Sequence, residues 1–134
     1  TIKFYFFNSG ERGTGKIYFL LTVMANVYKN IQAVITSSAS DDDMYTSPDA
    51  TTSIVKTIKL YNIHSSNLVV DTKVYNSSDT TDYQYESVTV NTLDSVDLLT
   101  FNNILILEAG DIIRMQTPTG AKIKMTASVL QISR

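Results

Sequence analysis

Leu105-Ile106-Leu107-Glu108-Ala109-Gly110-Asp111-Ile112-Ile113-Arg114-Met115 is the stretch whose reading decides the fold class. It reads as strand, tight turn, strand. Leu105 to Leu107 is a short apolar run, Glu108 to Asp111 supplies the turn, and Ile112 to Met115 resumes a strand. Gly110 is the turn residue that takes a positive φ without a Cβ penalty. Glu108 and Asp111 flank the turn, where carboxylates cap backbone N–H groups. That reading is preferred to an acid–base pair, because no pocket is implied around them.

Downstream, Thr117-Pro118-Thr119-Gly120 is a second turn, with Pro fixing φ and Gly closing it. Ala121 to Ile132 then predicts a long strand. Ile123, Met125, Ala127 and Val129 alternate with Lys122, Lys124, Thr126 and Ser128, and the parity reverses at Leu130 and Ile132, which predicts a bulge.

Upstream, Ser53 to His64 carries apolar residues on both parities: Ile54, Ile58 and Leu60 against Val55, Tyr61 and Ile63. Such a strand is central. Leu68 to Tyr75 alternates cleanly, and with 53–64 it predicts an antiparallel hairpin through Ser65-Ser66-Asn67. Tyr83 to Val90 is the next strand; its apolar set shifts from Tyr83 and Tyr85 to Val88 and Val90, again predicting a bulge. Leu98-Leu99 is a short apolar piece. Val27 to Thr36 predicts a strand anchored by Tyr28, Ile31 and Val34 or Ile35. Ser37 to Pro48 reads as a loop. Its three consecutive aspartates, 41–43, do not point at one centre as alternate-position calcium ligands do, so a solvated loop is preferred. About eight strands at the ~8–12-residue spacing of a sandwich predict an all-β, two-sheet antiparallel β-sandwich, jelly-roll or immunoglobulin-like.

Composition agrees. The chain has 134 residues, 43% of them hydrophobic, with eight tyrosines, two prolines and a formal net charge of −2. That charge argues against a binder of phosphate backbones. The absence of Cys excludes disulfides and thiolate metal sites. No apolar run approaches the ~18–20 residues of a membrane span.

Residues 1–23 differ from the rest. Ile2 to Phe7 is an aromatic strand candidate, Asn8 to Gly15 a Gly-rich turn, and Lys16 to Val23 a second apolar run; the two runs predict a hairpin. Lys16 to Val23 fits a secretory signal poorly, having no small-residue cleavage pattern after it. Met24-Ala25-Asn26 reads like a translation start, which divides the chain into an extension, 1–23, and a sandwich domain, 24–134.

Catalytic chemistry is sparse. The single histidine, His64, lies beside Ser65 and Ser66, but adjacency in sequence is not a catalytic pair. Gly10 to Lys16 has part of the P-loop spacing, yet Ile17 stands where the Mg²⁺-binding hydroxyl belongs and the next residues read as strand. No catalytic, cofactor or metal residues are assigned. Tyr83 and Tyr85 share a strand face and form a candidate ligand face for sugars, weakened by the absence of Trp.

From Met24 onward the chain resembles small β-sandwich virion proteins of tailed bacteriophages. The residues that carry this are Met24-Ala25-Asn26-Val27-Tyr28-Lys29-Asn30, Tyr45-Thr46-Ser47-Pro48-Asp49-Ala50-Thr51-Thr52 leading into Ser53 to Ile58, Leu60-Tyr61-Asn62, Leu105 to Met115, and Thr126 to Ser133. The resemblance implies a non-enzymatic structural protein located in the virion. It implies a capsid decoration (cement) protein, with a head–tail or tail accessory protein as the alternative; a host-glycan-binding module, acting through Tyr83 and Tyr85, is a further one that rests on those tyrosines. It also implies other virion proteins as partners, a homo-oligomer such as a trimer, and no cofactor, nucleic acid or membrane. Ile2, Phe4, Tyr5, Phe6 and Phe7, with Tyr18 and Phe19, are the expected assembly arm, since an exposed aromatic strand can join a neighbour's sheet.

Overall fold

The computed structural model describes residues 2–8, 17–23, 25–100 and 102–134. Its strands are β1 (Ile2–Asn8), β2 (Ile17–Val23), β3 (Asn26–Val34), β4 (Asp42–Thr46), β5 (Thr51–Asn62), β6 (Leu68–Asn76), β7 (Thr81–Val90), β8 (Ser95–Leu99), β9 (Leu105–Leu107), β10 (Ile112–Gln116) and β11 (Ile123–Ser133). There is no helix among the described residues. β1 and β2 pair with each other as an antiparallel hairpin, Ile2 opposite Val23 and Asn8 opposite Ile17.

The rest is a two-sheet antiparallel sandwich. One sheet runs β3-β11-β5, with β8 and β9 both on the far side of β5; the other runs β4-β10-β6-β7. β8 covers Ile58 to Tyr61 of β5 and β9 covers Ser53 to Val55, so the two act as halves of one interrupted strand. Counted that way, eight strands alternate between sheets at every step except the β6–β7 hairpin. This is the jelly-roll arrangement, which settles the choice against the immunoglobulin-like alternative.

The core follows from the alternation. Ile123, Met125, Ala127 and Val129 of β11 face Ile58, Leu60 and Val55 of β5 on the inner side and meet Val70, Val90, Ile113 and Met115 of the other sheet; all are at most 2% exposed. β5 is central, as expected. Its apolar residues on both parities are reconciled by a register shift opposite Ser128 and Val129, which brings Val55 to the same inner side as Ile58 and Leu60. A shift opposite Thr72 and Lys73 confirms the bulge in β7.

Polar side chains staple the layers where apolar packing stops. The Tyr45 and Ser47 hydroxyls each lie 2.8 Å from the Ser53 hydroxyl, and Gln131 Nε2 donates to the Tyr45 hydroxyl at 2.7 Å. Buried Asn62 donates from Nδ2 to the carbonyls of Ser66 (2.9 Å) and Val90 (3.0 Å), and its Oδ1 accepts from His64 N–H. Burying polar groups costs little when each is paired in this way.

Four expectations are corrected. Residues 42–46 are not loop but strand β4, with Met44 and Tyr45 buried. The aspartate run hides a strand because each carboxylate finds a partner, Asp41 on Lys73 of β6, Asp43 on Arg114 of β10 and Asp42 on Thr36 and Ser37 of the preceding connection. β5 and β6 do not form a hairpin; they lie in different sheets and pack face to face. A clean alternation reports a buried face, which edge pairing and face packing both satisfy. Leu130 and Ile132 do not mark a bulge in β11, which pairs with β3 without interruption from Lys124 to Ile132; the extra residue belongs to β5. Tyr28 is no core anchor, being 73% exposed, whereas Ile35 is fully buried.

Candidate functional site

The acidic turn closes on itself. Asp111 Oδ1 accepts from the Ser77 N–H and hydroxyl, both at 3.0 Å, while Oδ2 accepts from Glu108 N–H at 3.0 Å. The turn thus carries the chain from β9 in one sheet to β10 in the other and ties down the β6–β7 connection. Glu108 turns elsewhere, accepting from Arg134 Nη2 at 2.9 Å and from the Thr52 hydroxyl at 3.3 Å. Asp111 caps backbone N–H groups, as expected; Glu108 does not, its partners being the Arg134 and Thr52 side chains, and the two carboxylates do not converge on a common point.

The three aspartates also go separate ways. Asp41 accepts from Lys73 Nζ at 3.0 Å. Asp43 accepts from Arg114 Nε at 2.8 Å; Arg114 also reaches Asp82 at 3.0 Å and lies over the Tyr75 ring, 4.4 Å from its centroid. Hydrogen bonding to Asp43 raises the Arg114 pKa, and bonding to Asp41 raises that of Lys73. Asp42 turns back to the Thr36 hydroxyl (2.8 Å) and the N–H groups of Thr36 and Ser37. Burial pushes its carboxyl up, but these bonds outweigh burial and hold it below the usual range. Among the described residues no group of three or more acidic or histidine side chains converges as a metal site, and no helix is long and apolar enough to cross a membrane.

His64 Nδ1 lies 2.7 Å from the Ser66 hydroxyl and accepts from Ser66 N–H at 3.2 Å, shaping the turn after β5. Most of the P-loop-like segment, residues 9–16, lies outside the described residues; Ile17 opens strand β2. Tyr83 and Tyr85 are 52% and 38% exposed on β7. The Tyr83 hydroxyl donates to Asp79 at 2.6 Å, a bond that raises its pKa, so that polar handle is already engaged. The β7 bulge lies between Gln84 and Glu86, with Tyr85 as the unpaired residue, so the two tyrosines do not keep a common register. The expected arm residues fall on β1 and β2, where Phe6 opposes Phe19 and Phe7 opposes Tyr18.

What sequence reasoning missed is a surface. Along the outer face of the β3-β11-β5 sheet, Tyr28 stands opposite Leu130, Leu130 opposite Ile54, and Ile54 opposite Ile106 of β9. Tyr28 and Ile106 are 73% and 56% exposed, and Leu130 and Ile54 are half-buried between them. This is an apolar row across four strands on the solvent side, with Lys56 Nζ 5.3 Å from the Tyr28 ring. The signal was there: Leu130 and Ile132 break the apolar parity of β11, and an apolar residue on the outward parity marks a contact face as readily as a bulge.

The row ends at an open edge. Ile35 N–H donates to Ile123 O and Ser133 N–H donates to Ala25 O, both at 3.0 Å. Odd-numbered residues therefore bond toward β11, and the even-numbered ones from Asn26 to Val34 direct N–H and C=O outward. Edge strands carry charges, bulges or interruptions against such exposure. β4 has Asp42 and Asp43, β7 has Asp82, Glu86 and its bulge, and β8/β9 is interrupted. β3 has nine residues, one charge (Lys29) and no register shift.

No protein-family model and no curated protein matches the chain. Solved structures that share its fold include the following two. One is from Bacillus endospore appendages, described as a family of disulfide-linked pili: TM-score 0.50, 12% identity, 84% of this chain and 91% of that one. The other is the virus-like particle of the extra small virus of the giant freshwater prawn Macrobrachium rosenbergii: TM-score 0.50, 14% identity, 85% of this chain and 83% of that one. At these identities the likeness concerns the fold alone. The disulfide linkage does not carry over, because this chain has no cysteine.

Proposed function

We propose that the chain is a non-enzymatic structural subunit of a tailed-bacteriophage virion, a decoration (cement) protein that stabilises the capsid through contacts between subunits. The observation that carries this reading is the unprotected β3 edge, which offers backbone donors and acceptors to a further strand. Residues 24–134 are the module that docks, and 1–23 the arm that reaches a neighbour. The stretches that resemble phage virion proteins are framework: Tyr45 to Thr52 carries β4 into β5, Leu105 to Met115 switches sheets, and Thr126 to Ser133 lies within the central strand β11. A repeated subunit gains avidity from contacts that are individually weak, so no catalytic constellation is needed.

Antibodies raised against the folded protein test this by immunogold microscopy of particles released from the producing culture. Regular label over the heads is the expected result. Label confined to one pole would make the chain a head–tail or tail accessory protein. Particles that carry no label would remove the virion reading.

A further inference from the structure

We propose that the apolar row Tyr28–Leu130–Ile54–Ile106 is the seat of the β1–β2 hairpin of a second copy of this chain. The inference deepens the subunit reading and rests on it, by naming what covers this face. The row lies open on the solvent side of the sheet, and the hairpin has the composition to cover it. The row puts apolar side chains in register on the solvent side of the sheet. The hairpin is strongly apolar: five of seven residues in β1 and six of seven in β2 are Ile, Leu, Val, Phe or Tyr. A two-stranded hairpin is marginal alone in water and becomes stable by laying a face on other structure.

Dimensions agree. The row crosses three inter-strand steps, about 14 Å at ~4.8 Å each, and a seven-residue strand spans about 23 Å. A second copy is required by the length of the link. From Val23 at the end of β2 to Asn26 at the start of β3 there are three Cα steps, which reach about 11 Å at full extension. Packed sheets stand ~10 Å apart, so the rise alone would consume the link and leave nothing for the reversal that would bring the hairpin over its own sheet.

The test is the native mass of the full chain by light scattering, with four single variants. Wild type is expected at a multiple of 14.9 kDa. Leu130→Glu and Ile106→Glu, which spoil the row, and Phe6→Asp, which spoils the hairpin, fall to a monomer that still melts cooperatively, its melting temperature no longer dependent on concentration. Thr126→Glu, exposed on the same face outside the row, stays multimeric. Mixing Leu130→Glu chains with Phe6→Asp chains unites an intact hairpin with an intact row and restores a dimer. A mixture that stays monomeric overturns the proposal, as does a monomeric wild type or a multimer that ignores the row. Row variants that keep their native mass yet no longer label particles would mean that another virion protein covers the row, and the virion reading would survive alone.

Discussion

Leu130 and Ile54 stand opposite each other across β11 and β5, one step along from Val129 and Val55, which stand opposite each other in the core. The inner pair is 1% and 0% exposed; the outer pair is half-buried on the solvent side. Because strand side chains alternate with period two, a single step separates residues that hold the sandwich from residues free to serve a contact. Leu60→Ala, in the core, is expected to cost about 2–5 kcal/mol through lost burial and a residual cavity. Leu130→Ala is expected to cost less than about 1 kcal/mol in the isolated chain. Urea unfolding compares them, and equal costs would make the outer pair part of the fold's own packing.

The two turn glycines serve different needs. Gly110 has φ +86°, and a Cβ there would sit 3.2 Å from Ser77. Gly120 approaches the Thr36 carbonyl so closely that a Cβ would collide with its backbone oxygen, while Ala121 takes the positive φ of that turn. Gly110→Ala should cost about 1 kcal/mol, and Gly120→Ala about 2–3 kcal/mol as an overpacking change. Thermal melts of both variants give the order; a reversed order would put strain ahead of the collision.

Asp111 gathers three hydrogen bonds from two connections while 9% exposed. Asp111→Ala leaves the N–H groups of Ser77 and Glu108 without their partner and is expected to cost about 2 kcal/mol. Hydrogen exchange at those two amides should accelerate selectively, which a global loss of stability would not produce.

Asp42 has a folded pKa below its usual 3.8. A depressed carboxylate pKa contributes stability above the unfolded value, and that contribution is lost as pH falls through the folded one. The wild type should therefore lose stability below about pH 4. Asp42→Asn should start less stable at neutral pH and lose less on acidification. Parallel pH–stability curves for the two proteins would show that the Thr36 and Ser37 bonds contribute nothing.

Much of the fold was readable where local chemistry has one solution. Gly110 between two apolar runs, the alternation from Ile123 to Val129, and the apolar shift in 83–90 all describe what the backbone does. The sequence is mute where two arrangements satisfy the same pattern. Leu68 to Tyr75 needs one face covered, and β5 could have covered it from the side or from above. Asp41 to Asp43 reads as solvated loop until Lys73 and Arg114, which are distant in the chain, are brought beside Asp41 and Asp43. The parity break at Leu130 signalled one outward apolar residue, but not the row it belongs to: Tyr28, Ile54, Ile106 and Leu130 are scattered over about a hundred residues, and only the strand order makes them neighbours.

β11 lies between β3 and β5, yet both are made long before it. On the ribosome the sheet has no centre until residues 123–133 emerge, so β3 and β5 must wait apart. Such dependence on distant pairing slows folding and lengthens exposure of unpaired strands. β3, Asn-Val-Tyr-Lys-Asn-Ile-Gln-Ala-Val, carries Asn26, Lys29, Asn30 and Gln32 among its nine residues, polar groups that suit a strand that waits in water. The open edge of the folded chain is thus also the segment that the nascent chain leaves longest without a neighbour.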